Sequence, residues 1–336
     1  MSETSRQTTA MVFSGGLGLA AYHAGVYEAF EKRGQSLHWV TGSSAGAITA
    51  ALIAGISKDS RVAGLQAFWN RPPIEQGGRR PWNHLNGWLS AIGTRFIGSS
   101  GHFHPRLPFL DPLRFSSFYD LAPMRMRLAE LVDFDLLNSG GLRICIAATD
   151  VETGEPVIFD SARERIEMDH LLASCGFLPE FAPVELAGRL LVDGGLSLNA
   201  PFDPVLEADL QGNLLLYVVD LYARDGRRPR SLEAALERKS DLMFGNQTVL
   251  RLRYLLEARR LRAALAGSPQ PSRDDRVIVL SYRPGSEEPG PEKSFDLSAQ
   301  ALAQRWKAGR LDMEEAERAA LGAGLHFVRR RNGSET

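Results

Sequence analysis

The sequence predicts an α/β fold with a largely parallel sheet. Short apolar stretches alternate along the chain with segments whose apolar residues have helical spacing, as in strands joined by crossover helices. Two of the stretches, 214–219 and 276–282, are apolar without interruption, which is typical of strands buried on both faces. Glycine-containing turns follow the first two stretches and set the boundary between strand and helix.

The individual elements follow from these patterns. The strands are predicted, in chain order, at 10–13, 37–41, 142–149, 156–159, 189–192, 214–219 and 276–282. The helices are predicted at 21–32, 45–56, 61–69, 232–265 and 298–321. The second strand leads directly into its helix, so the turn between them must be sharp.

The 336 residues are predicted to form a single α/β domain, 1–336, that is long enough to bury a sizeable core. An insertion at about 71–120 is rich in proline, aromatic residues and arginine. It is interpreted either as an irregular subdomain that buries its own aromatic rings or as a lid or lipid-facing surface. A helical C-terminal extension is predicted at about 231–330.

Composition limits the classes of function. The formal net charge of -1 gives no overall attraction to nucleic acid, so no nucleic-acid partner is expected. The two cysteines lie in apolar surroundings and suggest buried thiols rather than a metal site. The first ten residues lack an apolar signal core, and no apolar stretch approaches the ~20 residues of a spanning helix. A cytoplasmic location is therefore expected.

A Gly-x-Ser-x-Gly pattern at Gly42–Gly46 makes Ser44 a candidate nucleophile. In a strand-turn-helix context this pattern lifts a serine hydroxyl out of the backbone at the start of a helix. The simpler structural interpretation is a serine that only caps the helix.

Asp193, in an Asp-Gly-Gly turn, is the candidate base for Ser44. Two arrangements remain open: a triad completed by a histidine, for which His102 and His104 are better candidates than His23, or a dyad in which Asp193 takes the proton directly. The simpler interpretation of the Asp-Gly-Gly segment is a hairpin turn. Together, the two motifs favour a serine hydrolase.

The loop 14–18, Ser-Gly-Gly-Leu-Gly, follows the first strand and is the candidate oxyanion hole, with donors expected at Gly15, Gly16, Leu17 and Gly18. In a parallel sheet, neighbouring loops that follow strands meet at one edge, so this loop is expected beside Ser44. The same glycines also fit a dinucleotide-binding pattern. The second strand ends without the acidic residue that pattern requires, which makes nucleotide binding the weaker alternative.

The chain resembles the patatin-like phospholipase family. The resemblance rests on Ser14–Val26 (S-G-G-L-G-L-A-A-Y-H-A-G-V), on the Ser44 motif, on Asp193–Pro201 (D-G-G-L-S-L-N-A-P) and on Ala173–Val184. It implies a three-layer α/β/α sandwich with a mostly parallel central sheet. It also implies a Ser44–Asp193 dyad without histidine, metal or cofactor, and hydrolysis of lipid acyl esters of the phospholipase A or lysophospholipase type.

One departure from the family pattern leaves alternatives open. Leu17 stands where the family usually has a third consecutive glycine. A catalytically weak or inactive lipid- or partner-binding protein is therefore one alternative, and an acyltransferase or thioesterase using the same dyad is another. The arginine-rich helix 232–265 favours a solvated surface, with peripheral membrane contact as the alternative. The sequence gives no indication of oligomeric state.

Overall fold

The computed structural model describes residues 7–69, 102–106, 117–210, 212–226, 228–265, 274–284 and 293–328. The strands are β1 Gln7–Phe13, β2 Trp39–Ser43, β3 His104–Pro105, β4 Tyr119–Asp120, β5 Arg143–Asp150, β6 Pro156–Asp160, β7 Val184–Leu186, β8 Arg189–Asp193, β9 Asn213–Asp220, β10 Arg276–Ser281 and β11 Gly324–Val328. The helices are α1 Ala21–Lys32, α2 Ala45–Ala54, α3 Arg61–Trp69, α4 Ala122–Leu131, α5 Phe134–Leu137, α6 Met168–Ser174, α7 Asp203–Glu207, α8 Leu232–Leu265 and α9 Ala299–Arg318.

Nine of the strands form one sheet in the order β11-β10-β9-β1-β2-β5-β8-β7, with β6 also paired to β5. The pairings from β11 through to β5 are parallel, whereas β6, β7 and β8 join antiparallel. Because the parallel strands all end at the same edge, the segments after β1, β2 and β9 lie next to one another. The glycine loop 14–18 and Ser44 lie at this edge.

The sheet is buried on both faces, as its uninterrupted apolar strands predict. In β9, Leu215, Tyr217 and Val219 pack into one core together with α1, α2 and α9. The alternate residues Leu214, Leu216 and Val218 pack into a second core with α7 and α8. The predicted three-layer α/β/α architecture with a mostly parallel sheet is confirmed.

The predicted elements agree with the observed ones to within a few residues at each end. The segment predicted as a helical C-terminal extension also supplies two strands of the main sheet, β10 and β11. Most of the insertion predicted at 71–120 lies outside the described residues. Of its aromatic residues, Phe103, Phe118 and Tyr119 are described. Phe103 and Tyr119 are buried with their ring centroids 4.9 Å apart, whereas Phe118 is 45% exposed.

Helices α1 and α9 cross at very short distance on one face of the sheet. A Cβ atom at Gly25 would lie 1.9 Å from the carbonyl oxygen of Trp306, and one at Gly309 would lie 2.1 Å from that of Tyr22. The absence of a side chain at both positions therefore allows the two backbones to touch. Across the described ranges, no helix combines the length and apolar character needed to cross a bilayer.

Candidate active site

Ser44 lies at the sharp turn between β2 and α2. Its backbone angles, φ 54° and ψ −126°, place a non-glycine residue in a sparsely populated conformation. Such strain persists only where the surrounding structure imposes it, and it is concentrated at functional sites. The predicted strand-turn-helix is thus present, with the serine side chain raised at the start of a helix.

The two glycines of the motif are required by close packing. A Cβ atom on Gly46 would lie 2.0 Å from the carbonyl oxygen of Phe13, at the end of β1. One on Gly42 would lie 2.2 Å from the carbonyl oxygen of Gly46. The two glycines of the Gly-x-Ser-x-Gly motif are therefore needed because α2 packs closely against the end of β1 and the turn that follows β2.

A second serine fixes the turn from the other side. The Ser44 N–H donates to Ser174 Oγ at 2.8 Å, and this hydroxyl donates to the carbonyl oxygen of Ala147 at 2.6 Å. Ser174 is fully buried at the end of α6. The strained backbone of Ser44 is thereby tied to the central strand β5.

Asp193 ends β8 at the level of the Ser44 turn. In the sheet register Ser43 pairs with Ala147, and the neighbouring Ala148 pairs with Asp193. The Asp193 carboxylate accepts a hydrogen bond from the Gly195 N–H at 2.7 Å, and it lies beside the Ser44 side chain, which favours its charged form. The two residues predicted from separate motifs are therefore in direct contact.

Burial controls the protonation of Asp193. The side chain is almost inaccessible, and loss of hydration raises its pKa from 3.8 to about 7. The Ser44 side chain and the hydrogen bond from Gly195 act in the opposite direction, because they favour the charged form. A carboxyl group with this pKa can exchange a proton near neutral pH.

Histidines occupy other places in the described part of the chain. His23 is buried against Phe13 and Thr49, and its burial lowers its pKa to about 3. His102 stacks on Trp69, and burial lowers its pKa to about 4. His104 lies exposed in β3. Among the described histidines none hydrogen-bonds to Asp193.

The glycine loop 14–18 lies beside this pair, since a Cβ atom on Gly15 would be 3.0 Å from Ser44 Cβ. The Gly15 N–H donates to the carbonyl oxygen of Asn199 at 3.1 Å and is already engaged. In the described structure the N–H groups of Gly16, Leu17 and Gly18 have no hydrogen-bond acceptor. Of the four donors expected from the sequence, these three remain available for an oxyanion.

Leu17 adopts the conformation for which glycine is normally chosen. Its φ of 49° lies in the left-handed region, which costs a residue with a Cβ atom about 1–2 kcal/mol. Its side chain packs on the aromatic cluster of Phe103, Tyr119 and Phe181. The leucine at this position therefore keeps the backbone conformation of the loop and adds an apolar wall beside Ser44.

Asn199, which was not predicted as a site residue, links the glycine loop to the Asp-Gly-Gly segment. Its side chain is buried between Gly15 and Gly195, and its backbone N–H donates to Gln247 Oε1 at 2.6 Å. The Asn199 Nδ2 group has no hydrogen-bond partner within the described residues. The sequence feature that could have indicated its role is its position, six residues after Asp193 in the same motif.

A narrow apolar pocket opens at Ser44. Its wall is formed by residues from seven stretches of the chain: Leu17, Gly18, Ser44, Ala45, Ile48, Phe68, Trp69, His102, Phe103, Leu121, Met124, Cys175, Phe181 and Leu297. The free volume is ≈ 40 Å³, which is room for about three water molecules. An acyl chain longer than a few carbons requires these side chains to move. In the described parts of the chain, no group of His, Cys, Asp or Glu residues has the arrangement of a metal site.

Solved structures share a remote similarity with this chain. VipD from Legionella pneumophila matches at 13% identity with a TM-score of 0.43, over 93% of this chain and 67% of the VipD chain. ExoU from the type III secretion system of Pseudomonas aeruginosa, solved with SpcU, matches at 18% identity and a TM-score of 0.35, over 95% of this chain and 53% of ExoU. This chain thus spans about two thirds of VipD and about half of ExoU. TM-scores this low support no assignment of activity.

The family model is the informative comparison. A search of curated proteins gave no match to the sequence. The model for patatin-like phospholipases matches residues 11–206, more than half of the chain. The matched range contains the loop 14–18, Ser44 and Asp193, and it supports a lipid hydrolase. The chain therefore belongs to the patatin-like phospholipase family.

Proposed function

We propose that the protein is a serine acyl hydrolase that cleaves lipid acyl esters through a Ser44–Asp193 dyad. The observation that carries this proposal is the contact between the two side chains, one on a strained turn and the other buried with its pKa raised to about 7. A buried carboxylate that is ionised at neutral pH and touches a serine hydroxyl is a base for that hydroxyl.

In the acylation step, the Ser44 Oγ attacks the ester carbonyl carbon while its proton passes to the Asp193 carboxylate. The N–H groups of Gly16, Leu17 and Gly18 hold the negative oxygen of the tetrahedral intermediate. When the intermediate collapses, the bond to the leaving alcohol breaks and protonated Asp193 returns the proton to that alcohol. The product is an ester of Ser44 with the acyl group.

In the deacylation step, a water molecule attacks the Ser44 ester and Asp193 accepts its proton. Collapse of the second intermediate releases the fatty acid, and the proton returns to Ser44. A base with its ordinary pKa near 3.8 would be a weak proton acceptor in both steps. Burial of Asp193, which raises its pKa to about 7, matches the base to neutral conditions.

The substrate proposed is an acyl ester of a glycerolipid or lysolipid, as in phospholipase A or lysophospholipase reactions. The apolar lining of the pocket at Ser44 suits the acyl part of such a lipid. Lipid substrates are held in membranes, so peripheral contact with a membrane surface belongs to the same proposal. The protein itself is proposed to act from the cytoplasmic side, without metal or cofactor.

The acyl acceptor and the acyl donor distinguish this proposal from two related reactions. An acyltransferase would pass the acyl group from Ser44 to an alcohol or thiol, and a thioesterase would accept a thioester as the acyl donor. All three share the acyl-enzyme. Suppression of fatty acid release by added glycerol or a thiol would indicate the acyltransferase, and faster release from an acyl thioester than from the matching oxygen ester would indicate the thioesterase.

The dyad is tested by labelling with a fluorophosphonate, followed by peptide mass spectrometry, in the wild-type protein and in Asp193→Asn. We expect modification at Ser44, slowed at least about 100-fold in the variant because the base is lost. Asp220→Asn is the matched control, since Asp220 is an equally buried carboxyl group that contacts Ser14 and not Ser44, and asparagine keeps an oxygen that can accept a hydrogen bond from Ser14. Absence of labelling in the folded wild type, with and without lipid vesicles, would support the inactive lipid- or partner-binding alternative instead.

A further inference from the structure

Helix α8 carries a row of exposed large apolar side chains on one side, with polar residues between some of them. The row consists of Leu232, Leu236, Met243, Leu250, Tyr254, Leu261 and Leu265, which are between 43% and 88% exposed. At 3.6 residues per turn, all seven fall within an arc of about 60° along a helix about 50 Å long. The opposite side of the helix, with Val249, Leu252 and Leu255, is buried against the sheet. An exposed apolar surface of this extent marks an interaction site.

Basic side chains flank this apolar row on both sides. Arg253 and Arg260 are exposed along one flank, and Arg262 is exposed along the other. From residue 242 to the end of α8 the sequence has five arginines and one acid, Glu257. Two of the arginines, Arg251 and Arg259, are in ion pairs with Asp203 and Asp275. The surface around the second half of the row is therefore positively charged.

The helix is attached directly to the candidate active site. Gln247, in its middle, accepts the hydrogen bond from Asn199 in the Asp-Gly-Gly segment. A Cβ atom at Gly245 would lie 2.6 Å from the carbonyl oxygen of Tyr222, just after β9. A surface that covers the middle of the apolar row is consequently held close to Ser44 and Asp193.

The spacing of the row does not suit pairing with a second copy of the helix. A coiled-coil seam needs apolar residues at alternating steps of three and four. At the positions of α8 that would have to be apolar to complete such a seam, the sequence has Ser240, Gln247 and Glu257. A single apolar row bordered by arginines is the pattern of a helix that lies in the interface of a membrane.

We propose that the apolar row of α8 docks on the surface of an anionic phospholipid bilayer. The seven side chains insert among the acyl chains, and the flanking arginines contact phosphate groups. This inference rests on the proposed function insofar as it explains how a lipid ester reaches Ser44. The binding itself does not require catalysis.

Vesicle cosedimentation with a Ser44→Ala protein tests the surface separately from the reaction. The vesicles are of phosphatidylcholine alone and of phosphatidylcholine mixed with phosphatidylglycerol. We expect binding to the mixed vesicles, with Leu250→Ser/Tyr254→Ser weakening it about tenfold or more. Leu242→Ser is the matched control, because Leu242 is 41% exposed on the same helix but lies outside the row. It should bind like the parent.

The charge contribution has an independent variant, Arg260→Gln/Arg262→Gln, which should weaken binding to the mixed vesicles and reduce its sensitivity to salt. The proposal is overturned by any of three results. These are no binding of the parent, equal binding of parent and Leu250→Ser/Tyr254→Ser, or a parent dimer that this double variant splits. Hydrolysis of water-soluble p-nitrophenyl butyrate by the wild type reports on the dyad alone, so failure of the proposed function is seen separately.

Discussion

At the level of single residues, the site combines three unfavourable features. Ser44 and Leu17 both have positive φ, and Asp193 is a carboxyl group buried almost completely. Each costs stability on its own, yet each has a partner that fixes it: Ser174 for Ser44, the aromatic cluster for Leu17, and Gly195 for Asp193. Local strain and desolvation gathered at one point are typical of sites arranged for chemistry.

The raised pKa of Asp193 predicts how activity depends on pH. The carboxyl group must be ionised to take a proton, so kcat/KM for a short soluble ester should rise with pH and level off above about 7. Below that value it should fall about tenfold per pH unit. The measurement is a pH–rate profile of p-nitrophenyl butyrate hydrolysis between pH 5 and 9, values chosen to bracket the group's pKa of about 7.

Asp220→Asn provides the control for this profile. Burial raises the pKa of Asp220 to about 7 as well, but this residue ends β9 and its carboxylate accepts from the Tyr222 N–H. The midpoint should therefore stay near 7 in this variant. A flat profile in the wild type, or a midpoint that moves with Asp220→Asn, would contradict the assignment of Asp193 as the base.

The two central residues of the candidate site could be named from the sequence because each lies in a local motif. Ser44 and Asp193 could be named from the sequence, since glycines on both sides define the turn that holds each of them. Ser174 and Asn199 could not be assigned roles, because their contacts join segments 27 or more residues apart. The hydrogen bond of the Gly15 N–H could not be predicted for the same reason, because its acceptor is the distant backbone oxygen of Asn199.

At the level of elements, most strands were predictable because a buried parallel strand is apolar throughout. β9 and β10 are the clearest cases, and their observed bounds differ from the predicted ones by a residue. β3, β4, β7 and β11 were not predicted. β3 and β4 have two residues each, too few for a pattern. β7 has three residues and β11 lies at the edge of the sheet, so neither carries the apolar pattern of a central strand.

The crossing of α1 and α9 gives a prediction at this scale. Gly25→Ala and Gly309→Ala each place a methyl group within about 2 Å of a backbone oxygen of the facing helix. The helices must separate, and we expect each substitution to lower the free energy of unfolding by about 1–3 kcal/mol or more. Denaturant unfolding followed by circular dichroism measures the change.

Gly322→Ala is the matched control for the helix crossing, because a Cβ atom there meets nothing within 4 Å. It should leave the midpoint of unfolding nearly unchanged. Equal stability of Gly25→Ala and Gly322→Ala would mean that the two helices do not touch through their backbones.

At the level of the whole molecule, the pocket at Ser44 is assembled from residues far apart in the sequence. Leu17 comes from the first loop, Phe103 from the insertion and Leu297 from the segment before α9. None of these residues belongs to a motif that indicates acyl binding, so the pocket could not be predicted. Its small volume, ≈ 40 Å³, is likewise a property of tertiary packing.

Because the pocket is this small, we expect the protein to prefer short acyl chains in water, and Leu297→Ala to move the preference to longer ones. Leu297 faces the glycine loop 14–18, with its Cδ2 atom 2.7 Å from where a Cβ of Gly18 would lie. Its truncation opens the wall beside Ser44 and should raise the ratio of kcat/KM for p-nitrophenyl decanoate over butyrate by about tenfold. Leu178→Ala, at an exposed leucine outside the pocket wall, should leave the ratio unchanged. The same ratio in wild type and Leu297→Ala would show that the acyl chain leaves Ser44 by another path, and the lining described here would then belong to the core rather than to the substrate.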